Sequence, residues 1–286
     1  MKYGIYLPVF EPWGSARIIA SLAREAEDAG WDGLFVWDDV AGSEVDMVDP
    51  WVALSAAAVA TTRIRLGALV TPLPRRRPWK FARETVSLDH LSGGRLVVGV
   101  GTGGGEEQFA DFGEEPNHKL RGDMLDEALE IVTGLWTGGH FQHDGPHYHI
   151  TGTRFLPAAL QQPRIPIWVG GVWPNKRPLA RMARWDGMFP LFFHARSAAE
   201  AFEQFKQAVK SVREMRSSPD PLDVIALGAT PIGQPEVSAS MVRPYAAAGA
   251  TWWLESVGPL RMGMPGDELW TVDQLHARVL DGPPRI

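Results

Sequence analysis

The sequence predicts an α/β fold, a parallel (β/α)8 TIM barrel, and three observations carry that expectation. Short apolar runs alternate with helical patterns along the whole chain. The intervals between runs are long enough for crossover helices, which parallel strands require. The length of 286 residues suits one such barrel. A doubly wound open sheet is the alternative architecture. With no low-complexity tract or linker, residues 1–286 are expected to form one domain.

Each unit has its own signal. Residues 2–8 read as the first strand, and Ile18, Leu22 and Ala26 give the next helix one apolar face. Residues 31–37 form the second run. Asp49-Pro50 then supplies an N-cap and a first-turn proline for the helix to Ala60. Residues 64–71 are the third run, followed by a helix from Pro78 to Ser92-Gly93-Gly94. Residues 96–100 are the fourth, with a helix over 124–133. Residues 140–155 break the alternation and read as an inserted hairpin before the fifth strand. That strand is expected at 167–169 with a helix over 176–184. Residues 188–190 are a short sixth run, and Ser197 with Glu200 forms a capping box for the helix to Met215. Residues 224–229 and 252–255 complete the strands. A helix over 236–248 and one capped by Thr271 and Gln274 follow them.

Composition narrows the partners. Lys and Arg number 28 against 34 Asp and Glu, a net charge of −6, so no basic field draws a nucleic acid. There is no cysteine, which removes disulfides, thiolate metal sites and a cysteine nucleophile and is compatible with the cytoplasm. No apolar run reaches the length of a membrane span. A small-molecule ligand is the expected partner.

In a barrel of this kind the ligand site lies at the carboxyl ends of the strands. Gly170 and Gly171 precede Lys176 and Arg177 at a helix start, which suits a phosphate cradle or, equally, a tight strand–helix turn. Gly101, Thr102 and Gly103 lack the spacing of a dinucleotide fingerprint, but they leave room for a flat ring; a flexible loop is the alternative. Asp38 and Asp39 close the second strand. Neighbouring side chains alternate, so only one can face the barrel mouth while the other caps or pairs with an arginine. His194, near the sixth strand end, is a candidate imidazole. Trp37 and Trp173 could stack on a planar ligand, and Arg75, Arg76 and Arg77 could meet an anionic tail. His140, His143, His147 and His149 fit an ordinary hairpin better than a metal site, because the carboxylate and second-shell pattern is missing; no metal is expected.

Several stretches together resemble the luciferase-like family of flavin- or deazaflavin-dependent oxidoreductases. The most specific runs from Leu88-Asp89-His90-Leu91-Ser92-Gly93-Gly94-Arg95 into Val98-Gly99-Val100-Gly101-Thr102-Gly103. Arg63-Ile64-Arg65-Leu66-Gly67 with Thr71-Pro72, Pro166-Ile167-Trp168-Val169-Gly170-Gly171 and Ala183-Arg184-Trp185-Asp186-Gly187 support it in the family's order. The resemblance implies a (β/α)8 barrel, often dimeric, that binds FMN or coenzyme F420, with a lean to F420. It also implies hydride transfer or reduced-flavin monooxygenation, with a separate flavin or F420 reductase as a further partner. Carried over, Gly170 and Gly171 hold the phosphate with backbone from Lys176 or Arg177, and Gly101 to Gly103 line the ring. Ala68, Leu69 and Val70 resemble the segment where relatives hold a non-prolyl cis peptide, here expected at Ala68–Leu69.

Two positions depart from the family pattern. Relatives often carry Asp-His where this chain has Asp38-Asp39, and some deazaflavin dehydrogenases carry Glu where this chain has Gly104. Asp39 is therefore the expected polar group at the reacting face, with Asp38 orienting cofactor or substrate. Two rival readings remain: a flavin-binding relative without catalysis, and an unrelated barrel enzyme using Glu255 as a base.

Overall fold

A computed structural model describes residues 1–10, 14–41, 45–257 and 271–286. Its main sheet is parallel, and it is built from β1 (Lys2–Leu7), β2 (Gly33–Val36), β3 (Arg65–Ala68), β4 (Thr71–Pro72), β5 (Val98–Gly101), β8 (Ile167–Val172), β9 (Gly187–Leu191), β10 (Asp223–Gly228) and β11 (Trp252–Ser256). The order across the sheet is β3-β2-β1-β11-β10-β9-β8-β5-β4. The two ends of that order are halves of one chain run, interrupted at Leu69 and Val70. A parallel bridge from Leu66 of β3 to Leu96, just before β5, closes the sheet, and Leu66 accepts from Val97 N at 2.8 Å. Counting β3 and β4 as one staggered strand gives the eight of a (β/α)8 barrel. The third strand is thus split where the sequence suggested one run over 64–71.

Helices α1 (Ala16–Asp28), α2 (Pro50–Ala60), α3 (Pro78–Ser92), α4 (Glu107–Ala110), α5 (His118–Trp136), α6 (Lys176–Arg184), α7 (Ala198–Met215), α8 (Pro235–Ala247) and α9 (Val272–Leu280) occupy the crossovers. Their ends follow local chemistry. Asp49 accepts from the backbone of Trp51 and Val52, both at 2.9 Å, and Pro50 opens α2. Gly93 closes α3 in the left-handed region at φ 67°. Thr271 and Gln274 form the reciprocal capping box. Only half of the expected box forms at Ser197: its hydroxyl accepts from Glu200 N, but the Glu200 carboxylate takes Arg196 N instead. Helix α5 starts six residues before the expected 124, because Asn117 caps it by accepting from Lys119 and Leu120.

The insertion is the antiparallel pair β6 (His140–Asp144) and β7 (His149–Arg154), with a register shift between Phe141 and His143. It packs outside the barrel. A groove of about 550 Å³ between it and Trp79, Lys80 and Arg83 of α3 belongs to the helical shell and not to the strand ends.

Strand alternation divides the apolar side chains into two sets. Tyr6, Phe35, Leu69, Val97, Trp168, Phe189, Ile225, Trp252 and Leu254 pack together inside the barrel. A larger set, including Ile5, Leu34, Leu66, Val98, Val169 and Trp253, packs the strands against the helices. Inside, glycine makes room for rings: a Cβ at Gly187 would run into the Trp168 indole.

Candidate functional site at the barrel mouth

The carboxyl ends of β1, β2 and β11 lie side by side, and their last inward residues are aromatic or polar. Tyr6 lies level with Ser256 in the β1–β11 register. Its ring is 6.1 Å from Trp37 and edge-on to Phe189 at 5.7 Å. Phe10 meets Trp37 edge-on at 5.7 Å. The Tyr6 hydroxyl is buried and donates to the Leu69 carbonyl at 2.7 Å. Burial, reinforced by the charge of Asp39, raises its pKa and keeps the phenol protonated.

The two acids after β2 separate as alternation requires. Asp38 turns into the shell and is saturated. It accepts from Trp51 Nε1 at 3.1 Å, Thr71 Oγ1 at 2.6 Å and Arg76 Nη2 at 2.8 Å. Asp39 is half-buried, and no hydrogen bond to its carboxyl occurs among the described residues. Burial, then the adjacent Asp38, raises its pKa against the opposing pull of Arg75. A carboxyl in that condition can carry a proton above the usual range.

The non-prolyl cis peptide is Leu69–Val70, one bond later than the expected Ala68–Leu69. Ala68 still pairs with Val36, and Leu69 N donates to Val36 O at 2.8 Å, so β3 stays in register up to the residue before the cis bond. The Val70 side chain then lies between Gly101 and Gly170: a Cβ there would meet it at 2.8 and 2.5 Å. A Cβ at Gly171 would collide with Pro178 of α6. Close packing therefore accounts for all three glycines.

Thr102 Oγ1 lies 3.0 Å from His118 Nε2. Burial and the neighbouring Arg121 lower the His118 pKa, leaving the imidazole neutral. Gly103, at φ 84°, packs on Phe109 and Pro72. Phe109 is gripped on both sides, by Arg121 at 3.7 Å and Arg75 at 4.3 Å. Arg121 is fully buried. It donates to Gly104 O at 3.2 Å, while its Nε and Nη1 have no partner among the described residues.

The cations expected to meet an anionic tail are largely committed elsewhere. Arg75 bonds Glu114 and the Gln108 carbonyl, Arg76 holds Asp38, and Arg77 lies beside Trp79. Arg177 is tied to Asp123 and Asp126 of α5. Lys176 remains exposed at the start of α6, whose N-cap, Asn175, makes no side-chain bond. His194 is exposed on the loop after β9, and Glu106 and Glu107 are exposed at α4, so neither glutamate stands buried at the mouth in place of Gly104. Glu255 faces the shell, where Thr230, Trp253 and Arg278 saturate it. That orientation removes it as a barrel-interior base. In the hairpin, His143 bonds Glu127 at 2.9 Å and His149 bonds Asp144 at 2.6 Å. Among the described residues no group of three or more His, Asp or Glu could hold a metal ion.

The model of the luciferase-like monooxygenase family matches residues 1–252. The chain belongs to that family. It is accordingly an oxidoreductase, and enzymes built on (β/α)8 barrels carry their sites at the carboxyl ends of the strands. An uncharacterized protein of Mycobacterium tuberculosis is 34% identical over 227 residues, covering 72% of this chain and 75% of the relative. A second M. tuberculosis protein, carrying the provisional name of a coenzyme F420-dependent oxidoreductase, is 32% identical over 214 residues, 69% of this chain and 57% of its own. The fold is similar to that of an F420-dependent secondary alcohol dehydrogenase, solved with an F420–acetone adduct. The TM-score is 0.73 at 15% identity, over 98% of both chains.

Tyr6, Ser256, His118 and Arg121 were not singled out by sequence. Tyr6 and Ser256 were legible as the inward positions of β1 and β11. His118 and Arg121 had no signal, because their partners Thr102 and Gly104 lie 16 and 17 residues away.

Proposed function

We propose that this oxidoreductase binds F420, with FMN as the alternative, over the mouth formed by the Leu69–Val70 peptide, Gly101, Thr102 and Gly103, and that Asp39 is its acid–base group. The observation that carries the reading is Asp39 itself: a half-buried carboxyl without a partner among the described residues, on the inward side of a strand end, beside aromatic rings. When bound, such a cofactor supplies or accepts hydride, or reacts with oxygen. The chain's own residues orient and protonate. Tyr6 holds the Leu69 carbonyl, so the segment under the ring keeps one position. Asp38 fixes Trp51, Thr71 and Arg76 behind the mouth, and Asp39 carries a proton at its Oδ.

The anionic part of the cofactor falls to the first amides of α6, at Lys176 and Arg177, and to the Lys176 ammonium. The guanidinium of Arg177, already shared between two aspartates, supports α5 instead. Gly170 and Gly171 contribute by letting Val70 and Pro178 approach. The likeness to the F420-named relative favours F420, and the family's monooxygenases keep FMN as the alternative. His194 remains a secondary candidate imidazole. A homodimer, a cytoplasmic setting and a separate reductase belong to the same reading.

Titration of purified protein with F420 and with FMN, followed by cofactor absorbance and fluorescence, tests it. Micromolar binding of one cofactor, weakened by Gly101→Val, is the expected result. Binding of neither overturns the proposal. Tight binding without turnover in Asp39-containing protein would leave a binding protein and remove the acid–base assignment.

A further inference from the structure

Two more polar groups at the mouth lack partners. The Trp37 indole Nε1 and the Ser256 hydroxyl are both shielded from solvent and make no hydrogen bond among the described residues. They belong to one face. Ser256 continues the inward row of Trp252 and Leu254 on β11, and Trp37 continues Phe35 on β2. Strand β1 lies between them, with Tyr6 against Trp37 and level with Ser256. Tyr6 offers no donor of its own, since its hydroxyl is spent on Leu69.

The chemistry of these groups restricts what can satisfy them. An indole N–H only donates, so the atom facing it must be an acceptor. A buried donor left unpaired is costly, and a bound acceptor relieves that cost. The walls are Phe10, Tyr6, Trp37 and Phe189, which suits a flat apolar body. The nearby charge is unfavourable to an anion. Asp39 stands on the inward side at this end of β2, and the arginines beside it are already paired, Arg76 with Asp38 and Arg75 with Glu114.

We propose that Trp37 Nε1 and Ser256 Oγ donate to carbonyl oxygen of an uncharged, flat substrate, with Asp39 facing the same ligand. The inference names the substrate class of the site assigned above and rests on that assignment. Carboxylates and phosphate esters are disfavoured, because Asp39 faces the ligand and Arg75 and Arg76 beside it are already paired. The two donors, coming from strands on either side of β1, set the orientation of the substrate before any chemistry occurs.

Indole N–H spectra of 15N-tryptophan-labelled protein test the proposal directly. The chain has 12 tryptophans, and Trp37→Phe identifies the Trp37 signal by its loss. Acetophenone, the uncharged probe, is expected to move that signal downfield saturably, and benzoate is expected to leave it in place. Ser256→Ala should weaken acetophenone binding about 2- to 10-fold, the loss of one neutral hydrogen bond, without changing the spectrum of the free protein elsewhere. A Trp37 signal indifferent to acetophenone, or benzoate binding as well as acetophenone, overturns the proposal. F420 and FMN binding is read separately from cofactor absorbance. A protein that binds cofactor but not acetophenone therefore loses only the substrate assignment, whereas one that binds neither loses both.

Discussion

The ends of β2 and β11 are built alike and used differently. Each finishes on two neighbouring polar residues, Asp38-Asp39 and Glu255-Ser256. The first of each pair faces the helical shell and is saturated: Asp38 by Trp51, Thr71 and Arg76, and Glu255 by Thr230, Trp253 and Arg278. The second differs: Ser256 Oγ is buried without a partner among the described residues, and no hydrogen bond among the described residues reaches the half-buried Asp39 carboxyl. Strand period two thus sorts stability from chemistry one residue apart. A charge at a strand end is no evidence of catalysis until its side of the strand is known, as Glu255 demonstrates.

The strongest way to break this comparison is to remove the saturated member and then the unsaturated one at the same strand end. Glu255→Ala leaves Arg278, itself 1% exposed, without its buried carboxylate and with only the more distant Asp281 at 3.8 Å. That change costs about 3–5 kcal/mol, or a fall of roughly 10 °C in Tm for a chain of this size. Ser256→Ala removes a buried hydroxyl that has no partner among the described residues, so stability is unchanged or rises by up to about 1–3 kcal/mol. Thermal and urea unfolding of the two variants decide the matter. Equal losses would mean that Ser256 is a structural residue and would dissolve the distinction.

A third carboxylate, far from the mouth, calibrates the saturated class. Glu27 accepts from the backbone of Thr62, Arg63 and Ile64 and from the Thr62 hydroxyl, pinning the chain between α2 and β3. Burial opposes its ionisation, but these donors outweigh it and hold the pKa down to about 2. Because the folded value lies below the unfolded one, the stabilisation is present above the ordinary carboxylate range and is lost as pH falls toward about 2. Glu27→Ala is expected to cost about 2–4 kcal/mol near neutrality, with the gap to wild type closing on acidification. A gap independent of pH would mean that the side chain acts by packing and not by charge.

The fold was legible because its signals are local. Asp49-Pro50, Ser92-Gly93 and Thr271 with Gln274 each mark a helix end within four residues. Strand alternation also forecast that only one of Asp38 and Asp39 faces the mouth. What escaped was decided by distant register. The resemblance points to a cis peptide in this segment, but no local signal separates Ala68–Leu69 from the Leu69–Val70 bond where β3 breaks, and the bond from Tyr6 spans 63 residues. The arginine run looked available for an anion, yet Arg75 and Arg76 are taken by Glu114 and Asp38, 39 and 38 residues away. Gly170 and Gly171 fit both a phosphate cradle and close packing. The structure supplies Val70 and Pro178 as reasons for the second, and residue type alone cannot separate two uses that both require a missing side chain.

The smallest expected effect is also the most discriminating, because it runs against the usual direction. Asp39→Asn should stabilise the protein near neutral pH. Burial and the neighbouring Asp38 raise the pKa of Asp39 in the folded state, and the pull of Arg75 does not cancel them. The unfolded chain releases this proton in the ordinary carboxylate range near about 4, whereas the folded chain holds it to higher pH. Wild-type stability therefore declines as pH rises from that range through the folded value, and the full penalty is present above it. Asparagine resembles the protonated acid in shape and carries no charge. The variant should match wild type where both are neutral, at low pH, and exceed it near neutrality. Asp38→Asn should do the opposite at neutral pH, since it takes charge from a carboxylate that holds Arg76. Melting curves of both variants across the acidic to neutral range supply the readout. If Asp39→Asn is as destabilising as Asp38→Asn near neutrality, Asp39 has a structural partner, and its place as the unpaired acid of the mouth is lost.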